Sequence, residues 1–377
     1  MSQWGQQNWG QQGGRAVPPQ RWAAAQPQWS ASAQQWGAPR QQWAPPVAQQ
    51  PWGTQAQTYR PQQQVSRGRG AASAIRVILF VLGAIVAGIV LVGLFSETDD
   101  LPTVEAPPAE YQNESYQVPA PDLSPPDLPV PDTYEEASEW LTDNAVYDQS
   151  VAEPVRCDAA PIDLTSASDA QLEAHFNELT GCLMRVFAPA LESAGFEAVR
   201  PSVTVYSSPI QTKCGTMDTQ NAAYCGGDQQ VYYATDLPDI IPANLQRVDY
   251  VVESIIAHEF GHAIQARTGM LISESAWEGR SDESDALSLS RRLEVQADCF
   301  AGEFIDSVGY SVGVDEAGSQ EISELFYAIG DDQLSGDPTI EGNHGHGDSR
   351  QLWFTRGTQN TSLGTCNTFV AAEDEVA

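Results

Sequence analysis

His258-Glu259-Phe260-Gly261-His262 decides how this chain is read. It is an H-E-x-x-H motif. Two histidines four apart lie on one face of a helix, so both imidazoles can reach one metal ion. The glutamate between them stands beside that ion, where it can take a proton from water. The chain has only five histidines in 377 residues, which makes a chance pairing at this spacing rare.

A catalytic zinc site uses three protein ligands and keeps one position open. The third ligand is expected downstream. Residues 286–308 read as a helix, with Leu289, Leu293, Ala297, Phe300, Ala301 and Phe304 at helical spacing. Glu294 and Asp298 are four apart on it and share a face. They lie within an apolar stretch, which argues against a merely solvated face. Glu294 is expected to bind the metal. Asp298 is expected to accept the outer N–H of a ligand histidine and fix its tautomer.

Other zinc-protease patterns fit less well. The elongated motif needs a glycine at position 265 and a histidine at 268, where this chain has Gln265 and Thr268. Val251, Val252, Ile255 and Ile256 lead into the motif and Ala263 and Ile264 follow, so the helix at about 248–267 should be buried. Gly261 admits a close neighbour, and Gly269 is a natural stop.

Four blocks carry a resemblance: TGCLMRVFAPALESAGF (180–196), YCGGDQQVYY (224–233), IIAHEFGHAIQ (255–265) and RLEVQADCFAG (292–302). GHGDSRQLWFTRG (345–357) matches more loosely. In their order and spacing these blocks resemble the bacterial family of neutral zinc metallopeptidases, which are membrane-anchored zincins. The resemblance covers about 180–370 and leaves 1–150 untouched. It implies a zincin fold and zinc-dependent peptidase activity, and it says little about substrate.

Composition divides the rest. Residues 1–76 hold seven arginines, seven of the ten tryptophans and no acidic residue, amid Gln, Pro, Ala and Gly. Such a segment cannot build a core and is expected to be a disordered tail. Trp22, Trp29, Trp36 and Trp43 recur every seven residues, but the prolines among them exclude helical heptads. They read as a degenerate sticker repeat, with a partner for the tail left open. Val77 to Phe95 is 19 residues without a charge. As a helix it spans about 28 Å, enough to cross a bilayer. Arg67, Arg69 and Arg76 precede it and Glu97, Asp99 and Asp100 follow. This bias predicts a single-pass signal anchor in the cell membrane, with the N-terminus cytoplasmic and the remainder outside. Residues 96–131, rich in proline and acid, are expected to form a semi-rigid linker. Everything after Phe95 carries 11 basic and 50 acidic residues, a formal charge of −39. Nucleic acid is therefore excluded as a partner of that part.

Residues 132–377 form the expected folded domain, starting near Tyr134. All six cysteines fall in it, as expected for disulfides in an oxidising compartment. Cys214 and Cys225 are the best local pair. A long helix at 170–194, strands SVTVY (202–206) and QQVYY (229–233) and a further helix at about 318–329 complete the reading. The fold class is α+β, a zincin-like metallopeptidase domain with a small sheet and a helical half that holds the metal between them. Either strand is a candidate edge for pairing with an extended peptide.

The expected chemistry is peptide-bond hydrolysis of a protein or peptide substrate. Zn2+ is held by His258, His262 and Glu294, with Glu259 as general base. The oxyanion needs a further donor, and His346 in GNHGHGD is the first choice, with His344 next. His175 is expected on a helix surface. Two other classes remain: a catalytically idle scaffold with structural zinc, and an adaptor acting through the Trp/Gln-rich tail. The intact Glu259 argues against the first, since closed structural sites need no base. Deleting 1–70 and assaying peptidase activity would separate the second.

Overall fold

The computed structural model describes residues 110–377 apart from position 165. The expected tail at 1–76, the membrane span at 77–95 and the linker up to 109 lie outside the described residues. Among the described residues no helix is long and apolar enough to cross a membrane.

The architecture is mixed, a largely helical body with a small sheet. Helix α1 is Tyr134–Thr142, capped by the Thr133 side chain, and α2 is Asp169–Ser193. The strands follow: β1 (Val203–Tyr206), β2 (Ile210–Thr212), β3 (Gly215–Met217), β4 (Ala222–Cys225) and β5 (Gln230–Ala234). Then come α3 (Val251–Arg267), α4 (Met270–Glu278), α5 (Glu283–Val312), α6 (Glu316–Ala328), α7 (Asp331–Ser335) and α8 (Gly347–Gly357).

The main sheet has order β1-β5-β4, with β1 parallel and β4 antiparallel to β5. QQVYY thus supplies the central strand and has no open side for a peptide. SVTVY forms one edge. The other edge is β4, which sequence reading missed because all four of its residues are buried and show no alternation. The hairpin β2–β3 packs on one face of the sheet through Met217 and Ile210. The Cys214–Cys225 disulfide ties it to the end of β4.

Helix α3 is the centre of the body, with all 17 residues buried, as its apolar flanks predict. Phe187 of α2 meets Phe260 of α3 and Phe300 of α5, with ring centroids 6.0 and 6.3 Å apart, so one aromatic cluster fixes three helices. A Cβ on Gly261 would lie 3.0 Å from Ala297 Cα, so glycine is what lets α3 and α5 approach. Helix α5 is capped by Asp282, whose side chain accepts from Asp285 N–H, and runs 30 residues from Glu283. It also meets α8 closely: a Cβ on Gly302 would collide with the Phe354 carbonyl.

Residues 110–131 do not stand away from the domain as a spacer. Their carbonyls accept hydrogen bonds from side chains of the folded body: Pro119 from Arg200 (2.9 Å), Asp122 from Gln230 (3.0 Å) and Pro126 from Gln229 (2.8 Å). Tyr116, Val118 and Leu128 pack against the core. Proline-rich backbone has carbonyls but few N–H groups, so donors on the domain surface can hold it as a strap. Three disulfides close the body: Cys157–Cys182, Cys214–Cys225 and Cys299–Cys366.

Candidate active site

Helices α3 and α5 bring three of the expected residues together. One donor atom from each of His258, His262 and Glu294 lies within 4.8 Å of the others, and all three residues are buried. His258 Nε2 is 3.2 Å from His262 Nε2 and 3.3 Å from Glu294 Oε2, while His262 Nε2 is 3.6 Å from Glu294 Oε1. Tetrahedral zinc with bonds of about 2.0–2.2 Å places its ligands roughly 3.3–3.6 Å apart. The separations here, 3.2 to 3.6 Å, lie close to that edge length, the two to Glu294 being made by its two different oxygens.

The outer ring nitrogens explain why both Nε2 atoms face inward. His258 Nδ1–H donates to Asp298 Oδ1 at 2.7 Å. His262 Nδ1–H donates to Gln265 Oε1 at 2.7 Å, and Gln265 in turn donates to the Leu293 carbonyl at 2.7 Å. With the proton held on Nδ1 in each ring, the Nε2 lone pairs converge on one point. Two imidazole nitrogens and a carboxylate are a donor set suited to zinc.

Asp298 is itself fixed by a residue that sequence reading missed. Arg350, on α8 and fully buried, donates from Nε to Asp298 Oδ2 at 2.9 Å and from a terminal nitrogen to Oδ1 at 2.8 Å. Burial opposes charge on Asp298, but Arg350 and then His258 hold its carboxyl below the usual range. Burial likewise opposes ionisation of Glu294, yet His262 and His258 hold it well below its ordinary value, with His344 adding to the effect.

Glu259 lies beside this cluster. Its Oε2 accepts the main-chain N–H of Tyr224 at 2.7 Å. Because Tyr224 directs that N–H to Glu259 rather than to β5, the open edge of β4 faces the carboxylate. Burial pushes the Glu259 carboxyl above its ordinary value, and the two histidines partly offset this. A raised carboxyl is better matched to proton transfer near neutral pH.

The two glycine-flanked histidines are placed differently. His344 is buried, with Nδ1 3.1 Å from Asp331 Oδ1 and its main-chain N–H donating to Asp331 Oδ2 at 2.8 Å. It is also the one whose charge Glu294 feels. His346 caps α8, and its Nε2–H donates to the Ile340 carbonyl at 2.8 Å. Gly345 between them has φ of +97°, a turn that glycine makes without strain. His175 is not a surface group: its Nε2 is 2.8 Å from Glu253 Oε1, a buried carboxylate of α3 that also accepts the Ile162 N–H.

The family model described as "Putative neutral zinc metallopeptidase" matches residues 157–369. The chain is similar to the uncharacterized protein YpfJ of Escherichia coli K12, 32% identical over 189 residues, 47% of this chain and 64% of that protein. It is also similar to the uncharacterized protein Rv2575 of Mycobacterium tuberculosis H37Rv, 29% identical over 194 residues, 46% of this chain and 64% of that protein. The match thus spans just under two thirds of each relative's length. No solved structure matches the chain.

Proposed function

The chain belongs to the neutral zinc metallopeptidase family, and from that premise we propose that it hydrolyses peptide bonds with zinc held by His258, His262 and Glu294. The observation that carries this reading is the spacing of three convergent donor atoms with a buried carboxylate, Glu259, beside them. When bound, zinc would serve as a Lewis acid that makes water a nucleophile near neutral pH.

The protein's own groups supply the rest. Glu259 takes a proton from the attacking water and passes it to the leaving amine. The Tyr224 N–H holds one oxygen of that carboxylate, which leaves the other for the proton. Asp298 and Gln265 keep both ligand rings in the tautomer that presents Nε2. His344, oriented by Asp331, is assigned as donor to the developing oxyanion. It takes precedence over His346, whose ring is committed to the Ile340 carbonyl. The open edge of β4 supports main-chain pairing with an extended peptide.

The uncharged run at 77–95 and the arginines before it support a single-pass anchor with the domain outside the cell membrane. Three disulfides agree with an oxidising compartment. The test is zinc quantification with cleavage of a peptide library. The parent should bind about one zinc per chain. Glu294→Ala should lose most of it, while Glu259→Gln should keep it and lose turnover. Normal zinc in Glu294→Ala, or normal turnover in Glu259→Gln, would overturn the assignment.

A further inference from the structure

Two buried glutamines lie behind the metal ligands, and only Gln265 enters the chemistry above. It stands on α3 where the elongated zinc motif has glycine. Gln296 lies on α5, two residues beyond Glu294. Both side chains are fully buried. A side-chain amide presents donors at one end and an acceptor at the other, so its hydrogen-bond partners decide which way it points. Here the main chain decides, because a carbonyl oxygen can only accept. Gln265 Nε2 donates to the Leu293 carbonyl at 2.7 Å and to Gln296 Oε1 at 3.1 Å. Gln296 Nε2 donates to the Cys366 carbonyl and to Tyr147 Oη, each at 2.9 Å. The Tyr147 hydroxyl is 3.0 Å from the Leu141 carbonyl and 3.2 Å from Met270 Sδ. Both of those accept, so the hydroxyl hydrogen points away from Gln296 and a lone pair points toward it.

These bonds form a relay with one polarity. Turning the Gln265 amide over would set its oxygen against both the Leu293 carbonyl and Gln296 Oε1. Turning both amides over would still oppose Gln265 to the Leu293 carbonyl and would add the Gln296 oxygen against the Cys366 carbonyl. Either change buries acceptor against acceptor, which a protein interior penalises. The relay ends on His262. Gln265 Oε1, 2.7 Å from His262 Nδ1, can only accept, so the ring proton sits on Nδ1 and the Nε2 lone pair faces His258 and Glu294. The two ligand rings are thus held by different means. Behind His258 stands the charged Asp298–Arg350 pair, and behind His262 a chain of neutral groups drawn from α3, α5 and the turn Ala145–Asp148.

We propose that Gln296 and Tyr147 are positioning residues of the metal site, which act through Gln265 to hold His262 in the tautomer and ring orientation that bind zinc. This rests on the zinc-ligand reading and extends the support of His262 to two residues that supply no ligand atom. Outer partners of this kind typically govern metal affinity because they set where the ligand lone pair points.

The test measures zinc affinity of the full chain by competition with a chromophoric chelator, without recourse to hydrolysis. Gln296→Met should weaken zinc binding by about tenfold and Tyr147→Phe by about threefold. In a Gln265→Met background, where the relay is already cut, adding Gln296→Met should change the affinity by less than about twofold. A second readout is proton NMR of the zinc-loaded chain labelled with 15N-histidine. The His262 Nδ1–H should exchange with solvent faster in Gln296→Met than in the parent, while the His258 Nδ1–H, held by Asp298, keeps its parental rate. Parental zinc affinity in both Gln296→Met and Tyr147→Phe would overturn the proposal. So would an equal loss from Gln296→Met with and without Gln265, or equal loosening of both histidines, since either marks general damage to the core. If Gln296→Met does not fold, Tyr147→Phe decides by the same two measurements. A parent that binds no zinc refutes the ligand assignment itself, whereas a zinc-binding parent with silent variants refutes the relay alone.

Discussion

Replacing Arg350 with methionine tests the support beneath the metal site. The guanidinium is fully buried and makes two hydrogen bonds to the Asp298 carboxylate, with a third to the Ile329 carbonyl at 3.3 Å. Removing one side of a buried ion pair costs about 3–5 kcal/mol, because the other charge stays buried. Asp298 keeps the His258 Nδ1–H, so the lower end applies, about 3 kcal/mol. For roughly 270 ordered residues the unfolding entropy makes this a fall in Tm of about 5 °C. Asp298 would also orient His258 less firmly, and loss of such outer support typically weakens metal binding by about 10–100-fold. Melting curves of zinc-loaded protein and a competition titration with a chromophoric chelator measure the two effects. Combining Arg350→Met with Asp298→Asn should cost less than the sum of the single changes, since the second removes the orphaned charge. A Tm within about 1 °C of the parent, with unchanged zinc affinity, would show that the pair does not support the site.

Three further outcomes follow from the geometry. His344→Ala should lower kcat by about 10²–10³ with zinc content unchanged, while His346→Ala should stay near the parent, and the reverse order would refute the choice made between them. Thiol counting on denatured, unreduced protein from its native compartment should find none, since all six cysteines pair; six reactive thiols would count against the compartment assigned. Asp306 is raised to about 6, by burial first and then by Glu153. The folded state therefore holds that proton more tightly than the unfolded chain, and stability declines as pH rises from about 4 to about 6. Asp306→Asn should raise Tm at pH 7 but not at pH 4, and parallel Tm–pH curves for the two proteins would refute it.

Strong periodicity made the long helices legible. The expected helices at 170–194 and 248–267 appear as Asp169–Ser193 and Val251–Arg267, and the one at 286–308 extends to Glu283–Val312. Gly269 does end α3, with φ of +79°, but the chain turns straight into α4, a nine-residue helix too short to announce itself. His258, His262 and Glu294 were visible because ligand spacing on a helix is a local property. Arg350 was not. In GHGDSRQLW a lone arginine looks like any surface residue, and its partner lies 52 residues away. The same holds for Tyr224, which acts through its main chain, a group every residue but proline possesses. The strap at 110–131 was hidden for a related reason: proline-rich composition describes a segment's stiffness and not the donors it will meet.

The contact between α5 and α8 has a consequence for the rate at which metal leaves. Gly302 sits against the Phe354 carbonyl and Gly357 against the Cys299 carbonyl, so the two backbones touch at two places just beyond the residues of the Arg350–Asp298 pair. The Cys299–Cys366 disulfide fastens the same stretch. Helices locked in this way have no cheap local opening, and segments of that kind exchange their amide protons only through large-scale unfolding. Glu294 and Asp298 belong to that segment. Zinc release from the folded protein should therefore keep pace with amide exchange in α5 and share its temperature dependence, so that the ion's residence time becomes a clock for the opening of the whole domain.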